Sequence, residues 1–240
     1  MKVIIVSQSD IRGGAFRAAH RLHIGLRRIV VDSKMLVDNK ISDDPSVYGP
    51  ESKFDILYSK ARSFIDRIPL RYYNRHKTVF SPAWIGKNLA EHECLKNADI
   101  INLHWITNGF ISIKGIAKLA KFNKPIVWTL HDMWAFTGGC HYAGSCEKYK
   151  TKCGACPQLL SNKDRDLSRK IFGKKLKYFS NMNLNIVAPC NWMRDRVKES
   201  FLLSDVPLYV IPYGLDTDVF KPVEKTVARS ILNLPLDKKI

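Results

Sequence analysis

The chain has 240 residues, 45% of them apolar and 25% charged, a globular composition that excludes a collagen, a coiled coil or a disulfide mini-protein. At roughly 150 residues per domain, it is long enough for one large domain, or for one domain and part of another. Lys and Arg number 39 against 22 Asp and Glu, a formal net charge of +17, so anionic partners are favoured: nucleic acid, anionic lipid or a phosphorylated substrate.

No segment carries the roughly 18 to 20 apolar residues of a membrane-spanning helix. The opening MKVIIVSQSD has one basic residue and an apolar run of only four, too short for a secretory signal. A cytoplasmic protein beginning on a strand is expected, in which six cysteines serve as metal ligands or buried thiols rather than as bridges.

Val3 to Val6 form a β-branched run suited to a parallel strand covered on both faces. A glycine-containing turn with Gly13 and Gly14 follows. A helix is then expected from Ala15, with Phe16, Ala19, Leu22, Leu26 and Ile29 on one face. Ser33 to Val37 supply the second strand. From Lys53 to Lys77 the set Phe54, Leu57, Ala61, Phe64, Ile65 and Ile68 fits a helix carrying seven Lys and Arg against two Asp. Such a basic amphipathic segment either lies on anionic lipid or packs its apolar stripe on the sheet with its charges in water.

The alternation continues with a helix over Ala83 to Asn97, a strand over Asp99 to His104, a helix over Ile111 to Phe122 and a strand over Pro125 to Leu130. Thr137 to Pro157 is a long loop rich in Gly and Cys, and loops of that length are usually functional or stapled. Beyond it come a helix over Asp166 to Phe179, a strand over Leu184 to Ala188, a helix over Asn191 to Phe201, a strand over Leu208 to Ile211 and a helix over Val227 to Leu234. Repeated β-α alternation implies an α/β fold with a doubly wound parallel sheet and helices on both faces.

Ligands of such sheets bind beyond the carboxyl ends of the strands. The candidates are therefore Gly13 and Gly14, His104 and Trp105, His131 and Asp132, and Tyr213 and Gly214. The glycine pair lets backbone approach an anion at a helix N-terminus, although the dinucleotide fingerprint G-x-G-x-x-G is absent and a plain flexible turn is the alternative. His131, held after an apolar strand, can exchange a proton at the rim, or be structural. Cys140, Cys146, Cys153 and Cys156, spaced C-x5-C-x6-C-x2-C, can enclose a structural zinc ion or remain paired or free thiols. Cys94 and Cys190 read as buried thiols.

The succession Gly13-Gly14-Ala15, Asn102-Leu103-His104-Trp105, Thr129-Leu130-His131-Asp132-Met133-Trp134, Thr137-Gly138-Gly139-Cys140-His141-Tyr142, Cys153-Gly154-Ala155-Cys156-Pro157-Gln158 and Ile211-Pro212-Tyr213-Gly214-Leu215-Asp216, with Phe220 and Pro222, resembles bacterial glycosyltransferases of family 4. These are GT-B enzymes of surface-polysaccharide assembly, related to the colanic-acid type. The resemblance implies two Rossmann-like domains facing across a cleft, and transfer of a sugar from a nucleotide-sugar to a sugar or lipid-linked acceptor with retention. It implies that Gly13 and Gly14 lie against the donor phosphates and that His131 faces the donor sugar as the catalytic residue, with His104, Asp132, Tyr213 and Gly214 along the cleft. No catalytic metal is expected, so zinc here would be structural.

On this reading residues 1–211 are the acceptor-side domain, with the cysteine loop at 137–157, and 212–240 are an interdomain linker and the start of a second domain, Leu236 to Ile240 beginning its first strand. The chain then corresponds to an amino-terminal half, truncated and inactive alone, cytoplasmic and in peripheral contact with the inner face of the membrane. Two other classes stand beside it. One is a non-enzymatic module binding an anionic sugar, nucleotide or lipid surface. The other is a basic zinc-containing nucleic-acid binder, which the spread of charge and the lack of a recognised binding module disfavour, so nucleic acid is not an expected partner.

Overall fold

Val3, Ile4, Ile5 and Val6 are all buried, as a strand covered on both faces must be. They belong to β1 (Lys2–Ser9), the inner strand of the sheet in the computed structural model, which describes residues 1–239. Around it lie β2 (Asp32–Asn39), β3 (Val47–Tyr48), β4 (Ile100–Leu103), β5 (Ile126–Thr129), β6 (Leu184–Ala188) and β7 (Leu208–Val210), in the order β3-β2-β1-β4-β5-β6-β7. Every pairing is parallel. Val3 registers with Ser33 of β2 on one side and with Ile100 of β4 on the other. The winding therefore reverses between β1 and β4, where this class of sheet opens a ligand crevice.

Strand side chains alternate between faces. Val3 and Ile5 pack with Ala19, Met35 and Val37 beneath α1 (Gly14–Arg28), whereas Ile4 and Val6 join Leu36, Ile101, Leu103 and Trp128 in the larger core on the opposite face. Gly13 caps α1 at φ 110°, a conformation that favours glycine. Downstream, α4 (Ile113–Lys118) packs near α5 (Leu167–Phe179), whose N-cap Asp166 accepts from the Arg169 N–H at 3.1 Å. The helix α6 (Asn191–Lys198) links β6 to β7, and α7 (Lys225–Ile231) follows a stretch without regular structure. No helix is long and apolar enough to cross a membrane among the described residues.

Three expectations are corrected. The helix over Ala83 to Asn97 shrinks to α3 (Glu93–Lys96). Ala83 has φ 46° and the Cα of Gly86 abuts the Ile111–Ser112 backbone, leaving no space for a Cβ, so the segment buries Leu89 and Ala90 as irregular chain. Residues 236–239 form no strand; Ile240 lies outside the described residues.

The third correction concerns α2 (Lys53–Asp66), whose apolar stripe does not pack on the sheet. Phe54, Leu57 and Phe64 are 75%, 65% and 58% exposed, and the buried face consists of Ser59, Arg62 and Asp66. Those three fall on one stripe of a helix. The Ser59 hydroxyl donates to Asp38 Oδ2 at 2.5 Å, Arg62 Nη2 pairs with Asp38 Oδ1, and Asp66 Oδ1 accepts from the Trp84 N–H at 3.1 Å. A buried carboxylate at the end of β2 thus claims the polar side of the helix and turns its apolar side outward.

Candidate active site

Three candidates from three separate strand ends form one chain of hydrogen bonds. His104 Nδ1 lies 2.8 Å from His131 Nε2, and His131 Nδ1 lies 2.7 Å from the Tyr213 hydroxyl. The Tyr213 O–H also donates to the Leu130 carbonyl at 2.9 Å. With that proton so used, His131 Nδ1–H donates to the tyrosine oxygen and His131 Nε2 accepts from His104 Nδ1–H, tautomers assigned from the network. His104 Nε2 is then a bare nitrogen, buried without a partner. Burial lowers His131 to about 4 and holds His104 well below the usual imidazole range, so both rings are neutral at neutral pH. Neutral His131 can accept or give a hydrogen bond and pass a proton along the chain, but it cannot act there as a fixed cation.

Asp132 faces inward. Its Oδ1 accepts from the Trp134 N–H at 2.8 Å, and its Oδ2 accepts from Trp105 Nε1 at 2.9 Å and from His141 Nδ1 at 2.6 Å. His141 Nε2 in turn meets the Ser81 hydroxyl at 2.8 Å. This carboxylate ties the end of β4, the segment after β5 and the cysteine loop together, so its acceptors are spent on protein donors. The Trp105 ring also meets Phe16 edge-on at 5.6 Å, which connects the network to the first turn of α1, where Gly13 and Gly14 stand exposed. Gly214 is exposed in the irregular segment after β7, and a Cβ there would meet open space, so local packing makes no demand for glycine.

Two further features of this edge are the cavities on either side of Asn108. One, of about 310 Å³, is lined by Asp66, Arg67, Arg75, Lys77, Ser81 and Trp105 among others. The second, of about 340 Å³, includes Gln8, Arg12, Asp38, Lys40 and Lys60. Asn108, in the left-handed region at φ 60°, accepts from Ser63 Oγ at 2.9 Å and from Arg67 Nη2 at 2.8 Å. The two cavities share six cations, none of them ion-paired among the described residues.

Reasoning from sequence missed Asp10, His141 and Ser81. Asp10 accepts from the N–H groups of Ile11, Ile41 and Ser42 and so joins the loops after β1 and β2; burial works to raise its pKa, but these hydrogen bonds hold it below the ordinary carboxylate value. A lone Asp after the first strand was the only available signal. For His141 and Ser81 the signal lay in contacts across 60 residues.

Residues 12–219 match the family model described as Glycosyltransferase Family 4, a span that begins just after Asp10 and includes His104, His131 and Tyr213. The chain belongs to glycosyltransferase family 4. A 66-residue stretch is 35% identical to an Escherichia coli (strain K12) protein named as a colanic acid biosynthesis glycosyl transferase, WcaC, and covers 25% of this chain and 16% of that relative. In this family 4 chain the seven-stranded parallel sheet is the Rossmann-like arrangement the resemblance implied.

Proposed function

We propose that this chain takes part in retaining glycosyl transfer from a nucleotide-sugar in cell-surface polysaccharide synthesis, residues 1–211 forming the acceptor-side wall of a cleft and residues 212–240 leading toward a donor-binding domain. The observation that carries this reading is the family match over residues 12–219, on a sheet whose carboxyl edge gathers His104, His131 and Tyr213. His131 is the residue that meets the donor sugar, with Gly13 and Gly14 backing its phosphates through the amide groups at the start of α1. A sugar hydroxyl standing where the Tyr213 hydroxyl stands would meet the same His131 nitrogen.

The acceptor belongs beside Asn108, where unpaired Arg and Lys suit a phosphate-bearing sugar. The outward apolar face of α2 supports a lipid-linked acceptor presented at an anionic membrane surface: Phe54, Leu57 and Phe64 stand among Lys53, Lys60, Arg67 and Arg71.

Turnover needs the donor diphosphate clamped while charge builds on the leaving phosphate, and most of the acceleration comes from that positioning. The 240-residue polypeptide alone is therefore expected to give no useful transfer. Labelled nucleotide-sugars offered to it with lipid-linked acceptors test this, with and without a donor domain from a complete relative supplied in trans. Transfer only with that domain, with the donor's anomeric configuration kept, supports the proposal; robust transfer by the polypeptide alone overturns the half-enzyme reading. The second reading, a binding-only module, draws on the same unpaired cations, and saturable binding without turnover in the completed pair would favour it.

A further inference from the structure

We propose that Cys140, Cys146, Cys153 and Cys156 bind one divalent ion of the zinc class as a four-thiolate structural site, with the buried ammonium of Lys175 as its neighbouring counter-charge. The four cysteines all line a single cavity of about 20 Å³, room for one water-sized sphere. Cys153 and Cys156 are buried, Cys140 and Cys146 half-buried, and none is in a disulfide.

The backbone around them is fixed from three directions. Phe80 and Cys140 form an antiparallel bridge, supported by Ser81 N–H donating to the Gly139 carbonyl at 2.9 Å. The Cys156 N–H donates to Asp166 Oδ2 at 2.8 Å, which ties the Cys153–Cys156 turn to the N-cap of α5. Gly154 within that turn has φ 145°, and a Cβ there would lie 2.4 Å from the Asp164 carbonyl oxygen, so only glycine fits. Outer partners of this kind commonly orient metal ligands.

Lys175 supplies an independent observation. It is fully buried on α5, its ammonium donating to the carbonyls of Trp134 and Thr137 and lying 3.6 Å from the centre of the Trp134 ring. Carbonyls and a ring face solvate a cation but do not neutralise it, and an ammonium buried without an anion is costly. The Thr137 whose carbonyl it holds lines the same cavity as the four cysteines, so the ammonium stands beside the sulfurs. Binding of a zinc ion by four thiols releases four protons and leaves a site of charge −2. A protonated Lys175 beside the site then offsets half of that charge.

No group of three or more His, Cys, Asp or Glu stands at metal-holding geometry among the described residues. Binding must therefore draw the sulfurs in to about 2.3 Å from the ion. The spacing suits a soft, tetrahedral site rather than an oxygen-preferring cation.

The 240-residue chain, purified without a metal-affinity tag, is expected to hold about one zinc by elemental analysis. A mercurial should release it to a chromogenic chelator as four thiols are consumed. Cobalt exchanged for zinc should give the intense visible bands of a tetrahedral thiolate site, lost in Cys146→Ser and Cys153→Ser and kept in Cys94→Ser. If the serine variants fail to fold, the cobalt spectrum of the unsubstituted chain still decides. No stoichiometric metal with all four thiols freely reactive would overturn the proposal, as would an intact mass showing disulfides or a cobalt spectrum without thiolate bands.

Discussion

The hydroxyl of Tyr213, three residues beyond β7, lies 2.7 Å from Nδ1 of His131, and the two rings stack at 21° with centroids 5.1 Å apart. The segment after Tyr213 is itself tied to α1, through Arg28 and Asp216 at 3.0 Å and through Arg21 over the Phe220 ring. The side chain that covers the candidate catalytic nitrogen therefore sits on a segment held against α1. In the enzyme completed by a donor domain, Tyr213→Phe should lower KM for the donor and leave kcat within about threefold, because it removes a competitor for His131. His131→Ala should cost roughly 10²–10³ in kcat, as loss of a hydrogen bond at the reacting centre does. A kcat loss for Tyr213→Phe as large as that of His131→Ala would place the tyrosine on the substrate instead.

Acid should destabilise the fold between pH 6.5 and 4, where buried imidazoles resist protonation. Burial lowers His23 and His131 from 6.5 to about 4, and holds His104 well below the usual imidazole range. Each ring takes up a proton more readily in the unfolded chain, so between pH 6.5 and 4 the unfolded state binds more protons and stability rises with pH. Asp66 runs the other way: burial raises it from 3.8 to about 6, so its contribution is present below 3.8 and fades as pH climbs through 6. Three imidazoles outweigh one carboxyl. The urea midpoint should fall as pH is lowered from 6.5 to 4, and His23→Gln should flatten the slope; a midpoint constant across that interval would contradict these assignments.

The pair between Arg62 and Asp38 is buried on both sides. Arg62→Met strands a carboxylate beside the Ser59 hydroxyl and should cost roughly 3–5 kcal/mol, whereas Arg62→Met with Asp38→Leu should recover most of the loss. Equal destabilisation by the single and double variants, read from denaturant unfolding, would show that the charge pair is not what holds α2.

Substitution of Phe54, Leu57 and Phe64 by Ser should leave stability within about 0.5 kcal/mol per site, since these side chains already face water. The same variant should lose co-sedimentation with vesicles containing anionic lipid, an interaction that salt weakens. Equal binding to neutral and anionic vesicles, or none by the unsubstituted chain, would remove the membrane from the proposal.

The parallel strands were legible because residues buried on both faces leave an uninterrupted apolar run, as in Val3 to Val6 and Ile126 to Leu130. The strand-end rule also placed His104, His131 and Tyr213 on one edge before any distance was known. Periodicity failed where it records only a stripe and not the direction that stripe faces: the apolar side of α2 points outward because Asp38, 24 residues before Arg62, holds its polar side. It failed again at Ala83 to His92, where apolar residues are buried by irregular chain. The roles of Asp132 and His141 depend on partners from three segments, which no local pattern encodes.

The register of Val3 with Ile100 has a consequence for synthesis. Strand β1 leaves the ribosome well before β4, so one of its two ladders waits for a partner almost a hundred residues later. Until β4 emerges, β1 and β2 present an unpaired apolar edge, and long-range parallel pairing is slow once it can begin. The nascent chain is thus exposed to misassociation between the emergence of β1 and that of β4, and a chaperone that shields Val3 to Val6 during that interval would raise the yield of folded protein more than one acting after release.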